Sequence, residues 1–125
     1  MLNVYENIIL PIELDGGKVN KAFVQQIVQT LGLSDRLEAL PNQLSGGQQQ
    51  RVAIAHALAA SPAIILADEP TGNLDSKTRQ DVLSLLKVTS QKFVQTIVMI
   101  THNEEIAQMA DRIIRIEDGR IVSEN

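Results

Sequence analysis

Between Asn20 and Leu31 the apolar residues Phe23, Ile27, Val28 and Leu31 fall at i, i+4, i+5 and i+8, which is one face of a helix. Gly32 follows them directly, and glycine is the residue that most often ends a helix. The spacing predicts an amphipathic helix over 20–31. A shorter helix is predicted over 34–40, with Ser34 as its N-cap and Pro41 as its stop. From Gln48 to Ala60 there is no Gly or Pro, and five alanines keep the helix propensity high, so the stretch reads as a well-buried helix. Beyond it the pattern changes. Residues 64–67, 96–100 and 112–117 are short β-branched runs, separated by helical segments near 76–88 and 103–110. Strands alternating with helices predict an α/β fold with a parallel sheet. Asp118-Gly119 stands between apolar runs at 113–116 and 121–122, so the chain is expected to close on a small antiparallel hairpin.

Composition narrows the function classes. With 125 residues the chain is one domain at most, and 44% hydrophobic against 21% charged residues is the balance of a globular core. Eleven Lys and Arg against fifteen Asp and Glu leave a net charge of −4, without the basic footprint of a nucleic-acid binder. The absence of cysteine removes disulfides, thiolate metal sites and a thiol nucleophile. The longest apolar stretch, 63–67, is far too short to span a bilayer, and the acidic start Met1-Leu2-Asn3-Val4-Tyr5-Glu6 is not that of a signal peptide. Any membrane role is therefore expected to come through a partner.

Three places carry chemistry. Ser45-Gly46-Gly47 precedes a predicted helix, whose first N–H groups lack intrahelical acceptors and attract phosphate; the plainer alternative is an N-cap serine and a glycine turn. The apolar strand 63–67 ends in Asp68 and Glu69. In a parallel sheet ligands sit at that end, where one carboxylate can hold Mg²⁺ and its neighbour activate a water, or both can simply mark where the strand meets solvent. His102 closes the run Thr96–Thr101 in the same way, as a ligand-facing or a surface histidine. His56 reads as a packed or half-exposed helix residue.

Together, Leu44-Ser45-Gly46-Gly47-Gln48, then Gln49-Gln50-Arg51-Val52-Ala53-Ile54-Ala55, then Ile64-Ile65-Leu66-Ala67-Asp68-Glu69-Pro70-Thr71-Gly72-Asn73-Leu74-Asp75, then Thr101-His102 resemble the ABC-transporter ATPase family in order and spacing. The likeness covers nearly the whole chain, since Val4-Tyr5-Glu6-Asn7-Ile8 with Leu10-Pro11 is similar to the segment that family carries after its Q-loop. The run 67–76 is most similar to the subgroup serving lipoprotein release and macrolide or antimicrobial-peptide export. The resemblance implies that Ser45, Gly46, Gly47 and Gln48 belong to the signature motif that contacts ATP, Asp68 is the Walker B magnesium ligand, Glu69 the general base, Asp75 the D-loop aspartate and His102 the switch histidine. It also implies ATP and Mg²⁺ as cofactors, a second ABC ATPase domain packed head to tail, a transmembrane permease partner, and a place on the cytoplasmic face of the cell membrane.

Two departures accompany the resemblance. His56 stands where the family usually shows arginine. No Gly-x-x-x-x-Gly-Lys-Ser/Thr occurs: Gly16-Gly17-Lys18 has Val19 at the hydroxyl position and Ile12 at the first glycine position. The expected architecture is a truncated P-loop NTPase core of mostly parallel strands without its P-loop strand, with a helical subdomain over 1–60 and the C-terminal part of the α/β core over 61–125. Such a piece is expected to bind ATP weakly or not at all. Its 113–116 strand should slide beside 97–100, or its open edges should pair between copies. The rival readings are a non-enzymatic interaction module and an ABC ATPase outside transport.

Overall fold

Asn3 opens the first helix with a reciprocal cap. Its Oδ1 accepts the Glu6 N–H at 2.8 Å, while Glu6 Oε1 accepts the Asn3 N–H at 3.0 Å. This computed structural model describes residues 1–125, and its first element, α1 (Val4–Leu14), is one the periodicity did not predict. Pro11 lies inside α1, where proline normally breaks a helix. Burial of Val4, Ile8 and Ile9 overrides that local preference. The predicted amphipathic helix is α2 (Lys21–Thr30), capped by Asn20 and burying Val24, Ile27 and Val28.

No helix forms over 34–40, against the expectation. The carbonyls of Leu37 and Ala39 turn away to accept the N–H groups of Tyr5 at 3.0 Å and Val4 at 2.9 Å, the first donors of α1. Those donors have no partner within their own helix, so the segment is used to satisfy α1 rather than itself. One 3₁₀ turn, Pro41–Gln43, leads to α3 (Gly46–Ala59), which begins two residues before the predicted start at Gln48.

The strand β1 (Ile64–Asp68), the helix α4 (Ser76–Lys92) and the strand β2 (Thr96–Ile100) form a β-α-β unit. The strands pair in parallel from Ile64 opposite Thr96 to Asp68 opposite Ile100. A short helix α5 (Glu104–Ala107) leads to β3 (Ile114–Glu117) and β4 (Arg120–Glu124), the predicted antiparallel hairpin. Its turn residues Asp118 and Gly119 both have positive φ, 50° and 76°, the twist that a tight two-residue hairpin needs. β3 pairs only with β4, so the expected slide of this strand to the side of β2 does not occur. The hairpin satisfies β3 locally, and α5 with its flanking turns keeps it in a second sheet.

Twelve buried residues from Val4 to Ile65 form the main core, between α1, α2, α3 and one face of β1. Leu83, Leu86 and Ile106 form a smaller cluster between α4 and α5, with Ile97 and Met99 packed against it. The other face of the parallel pair is uncovered. Leu66 is 74% exposed, with Ile64, Val98 and Ile100 beside it at 52%, 43% and 51%.

Candidate functional site

Alternation along β1 places Asp68 on the uncovered face, at the carboxyl end of the strand. Its carboxylate is exposed and makes no hydrogen bond or ion pair within the chain. Glu69, one residue later, takes a left-handed backbone with φ 46°. That conformation is uncommon for a residue with a side chain and here turns the chain sharply out of the strand. Its N–H donates to the Ile100 carbonyl at 2.9 Å, so the residue stays tied to β2 while its side chain turns toward the next segment. Glu69 Oε1 accepts the backbone N–H of His102 at 3.0 Å, and His102 Nε2 lies 3.7 Å from the same oxygen. The imidazole is otherwise free, with 96% of the side chain exposed. Asp68, Glu69 and His102 are thus brought to one end of the parallel pair.

Beyond Glu69 the chain makes two tight turns, Gly72 N–H to the Glu69 carbonyl and Leu74 N–H to the Thr71 carbonyl, each at 3.2 Å. Thr71 is buried within them. Asp75 then caps α4 through its carbonyl, which accepts the Arg79 N–H at 2.8 Å, while its exposed side chain makes no capping bond.

The glycine turn sits against this same segment. Ser45 Oγ accepts the Gln48 N–H at 3.1 Å and Gln48 Oε1 accepts the Ser45 N–H at 2.9 Å, a reciprocal cap on α3. The serine is an N-cap, as the plainer alternative held, and its hydroxyl proton remains free for an outside acceptor. The N–H groups of Gly46 and Gly47 precede the first possible intrahelical acceptor. A Cβ on Gly47 would lie 2.5 Å from the Thr78 methyl group, and one on Gly46 would lie 3.0 Å from a Leu74 methyl group. The glycines therefore permit close packing of the turn on the start of α4, beside Asp75. Gln50 adds a second tie, its amide donating to the Pro70 carbonyl directly after Glu69. Sequence reasoning missed that tie; the only available signal was the position of Gln50 one turn beyond Gly46 on α3.

The residues present suit an anion and a singly ligated cation. At the exposed side of the turn the Gly46 N–H and the Ser45 hydroxyl proton can meet a phosphate, while Gly47 is buried against α4, and Asp68 offers one unpaired carboxylate. No group of three His, Asp or Glu side chains converges to hold a metal by itself.

A parallel β-α-β unit with acidic and histidine residues at its strand ends, joined to a helix opened by Ser-Gly-Gly, has the fold of part of an ATP-binding cassette. The chain belongs to the ABC transporter family, whose model matches residues 1–72. An ABC transporter ATP-binding protein of Methanocaldococcus jannaschii is 50% identical over 123 residues, which are 97% of this chain and 54% of that protein. The lipoprotein-releasing system ATP-binding protein LolD of Geobacter metallireducens is 45% identical over 121 residues, 95% of this chain and 54% of that one. A bacterial ABC transporter cassette solved as a dimer superposes with a TM-score of 0.77 at 40% identity, over 100% of this chain and 56% of the other. The chain spans about half the length of the curated relatives it matches. No helix is long and apolar enough to cross a membrane.

Proposed function

We propose that these residues are the signature and Walker B half of an ATP-binding subunit that couples ATP hydrolysis to transport across the cell membrane. The observation that carries this is the junction at the strand ends. Glu69 is held by the His102 backbone N–H, and the same loop is tied through Pro70 and Leu74 to the turn at Ser45. Asp68 would ligate Mg²⁺, and the bound ion would neutralise charge on the phosphates. Glu69 would accept the proton of the attacking water, and the His102 imidazole, free at the rim, would orient the terminal phosphate. Ser45, Gly46, Gly47 and Gln48 would meet the ATP held by a second ABC ATPase domain, arranged head to tail, with Asp75 beside them at that interface. The chain divides accordingly into a helical subdomain over 1–60 and a C-terminal core portion over 61–125.

A transmembrane permease is the second proposed partner, which would place the subunit peripherally on the cytoplasmic face of the membrane. A groove in which Ile12, Leu14 and Phe23 stand beside Asp15, Lys18 and Asn20 supports this, since it offers a mixed apolar and polar surface along the C-terminal half of α1. Nucleic acid is not among the proposed ligands, given the net charge of −4.

The test is single-turnover hydrolysis by a cassette carrying these residues together with a P-loop. Glu69→Gln should abolish turnover and retain ATP binding, because it removes the base and keeps the size of the side chain. Near-normal hydrolysis would overturn the assignment.

A further inference from the structure

The Asn7 carbonyl lacks its regular helical donor. In an α-helix it would accept the N–H of residue 11, and residue 11 is proline, which has none. The pyrrolidine ring also crowds that carbonyl and tilts it away from the helix axis. His56, on the neighbouring α3, brings Nδ1 to 2.8 Å from this oxygen. A carbonyl oxygen only accepts, so the bond requires the proton on Nδ1.

We infer that His56 is a positioning residue that donates from Nδ1–H the hydrogen bond Pro11 removes from α1, and thereby latches α1 to the helix opened by Ser45. No nearby amide side chain substitutes for it. Asn7 Nδ2 donates to the carbonyls of Leu2 and Asn3, and Gln49 Nε2 donates to those of Pro41 and Leu44. Val4, Leu44, Gln49 and Val52 line the same recess as the imidazole. The latch therefore ties α1 to the last turn of α3, while Gln49 ties the 3₁₀ turn to the start of the same helix. An apolar side chain at position 56 would take from a half-buried carbonyl the donor that stands in for the missing residue-11 N–H, a costly loss for a backbone group.

This account of what the latch positions rests on the proposed role of Ser45, but its test does not involve nucleotide. A failure here leaves the ATPase proposal untouched, and the reverse holds as well. The first measurement is the imidazole ¹⁵N spectrum of the 125-residue chain at about pH 8, where a free histidine is neutral. His56 should carry its proton on Nδ1; a proton on Nε2 would overturn the inference. The second is a urea-unfolding cycle between positions 56 and 11. His56→Phe should lower the folding constant about tenfold, and His56→Arg, which keeps a donor, should restore it to within about twofold. In the Pro11→Ala background His56→Phe should cost less than about twofold, because residue 11 then supplies its own N–H. Equal losses in both backgrounds would refute the latch. If the His56→Phe chain does not fold at all, adding Pro11→Ala should recover folding, and continued failure to fold would count against the inference as the Nε2 tautomer would.

Discussion

Glu69 Oε1 accepts the backbone N–H of His102 at 3.0 Å, joining the ends of two adjacent parallel strands through one side chain. The imidazole takes little part in that bond, since it is the main chain of residue 102 that holds the carboxylate. His102→Ala should therefore leave the folded chain within about 0.5 kcal/mol of the unsubstituted protein, as for other exposed side chains. In a complete cassette the same change should sharply reduce hydrolysis. Urea unfolding and single-turnover assays read the two effects separately, and a large loss of stability would show that the imidazole holds the loop.

Gly47 is a packing requirement at the turn where Ser45 caps α3. Its missing Cβ makes room for the Thr78 methyl group, 2.5 Å from where a Cβ would stand. Gly47→Ala should destabilise the chain by about 1–3 kcal/mol through this overlap. Adding Thr78→Ser, which deletes the methyl group, should restore most of the loss. Chemical denaturation of the two variants decides, and an undiminished penalty in the double variant would place the cost in the backbone of the turn.

ATP should bind these 125 residues weakly or not at all. The exposed side of the glycine turn offers the Gly46 N–H and a hydroxyl proton, whereas a P-loop wraps the phosphates in backbone donors and adds a lysine. No such loop lies within the sequence. Calorimetry with Mg-ATP should show no tight site, and a dissociation constant in the low micromolar range would overturn the expectation.

The fold was most legible where a local pattern and the tertiary environment agree. The 3.6-residue spacing at Phe23, Ile27, Val28 and Leu31 located α2, and Asp118-Gly119 located the hairpin, because both signals lie within a few residues of the structure they specify. The helix α1 was hidden because Pro11 argues against it locally, and only burial of Val4, Ile8 and Ile9 outweighs that. The predicted helix over 34–40 failed for the opposite reason: Leu37 and Ala39 direct their carbonyls to α1, a contact some thirty residues away that no window of sequence contains. At the candidate site the motif residues were visible from order and spacing. The ties from Gln50 to Pro70 and from His56 to Asn7 became visible only when α3 was set beside its neighbours.

Acid should loosen the hairpin from α5. The Arg115 guanidinium donates to both carboxylate oxygens of Glu104, one at 2.7 Å, and these hydrogen bonds hold the Glu104 carboxyl below the usual carboxylate range. A group whose folded value is lowered contributes its stability above the unfolded value, about 4.3 for Glu, and loses it as pH falls through the folded value. Arg115 is pushed upward by the same contact and stays charged throughout. Amide resonances of 114–117 followed from pH 7 downward should therefore shift below about pH 4. Arg115→Gln should move that midpoint up toward the ordinary value for Glu, and an unchanged midpoint would show that the pair does not hold the hairpin.

The parallel pair should drive association between copies of this chain. β1 and β2 each have a strand neighbour on one side only, and β3 has its own partner in β4, so both outer edges of the first sheet are open. The same two strands carry an uncovered apolar row of Ile64, Leu66, Val98 and Ile100, with Leu66 the most exposed at 74%. Open edges next to an apolar face form a template for another strand, since pairing satisfies backbone groups and removes the row from water together. Light scattering coupled to size-exclusion chromatography should give a mass above the 13.7 kDa of one chain and rising with concentration. Leu66→Lys with Val98→Lys puts two like charges on the middle of the face, opposite each other in the register, and should return the chain to a monomer with its helices intact. A unit mass of one chain at every concentration, without these substitutions, would mean that the bare strands are protected in some other way.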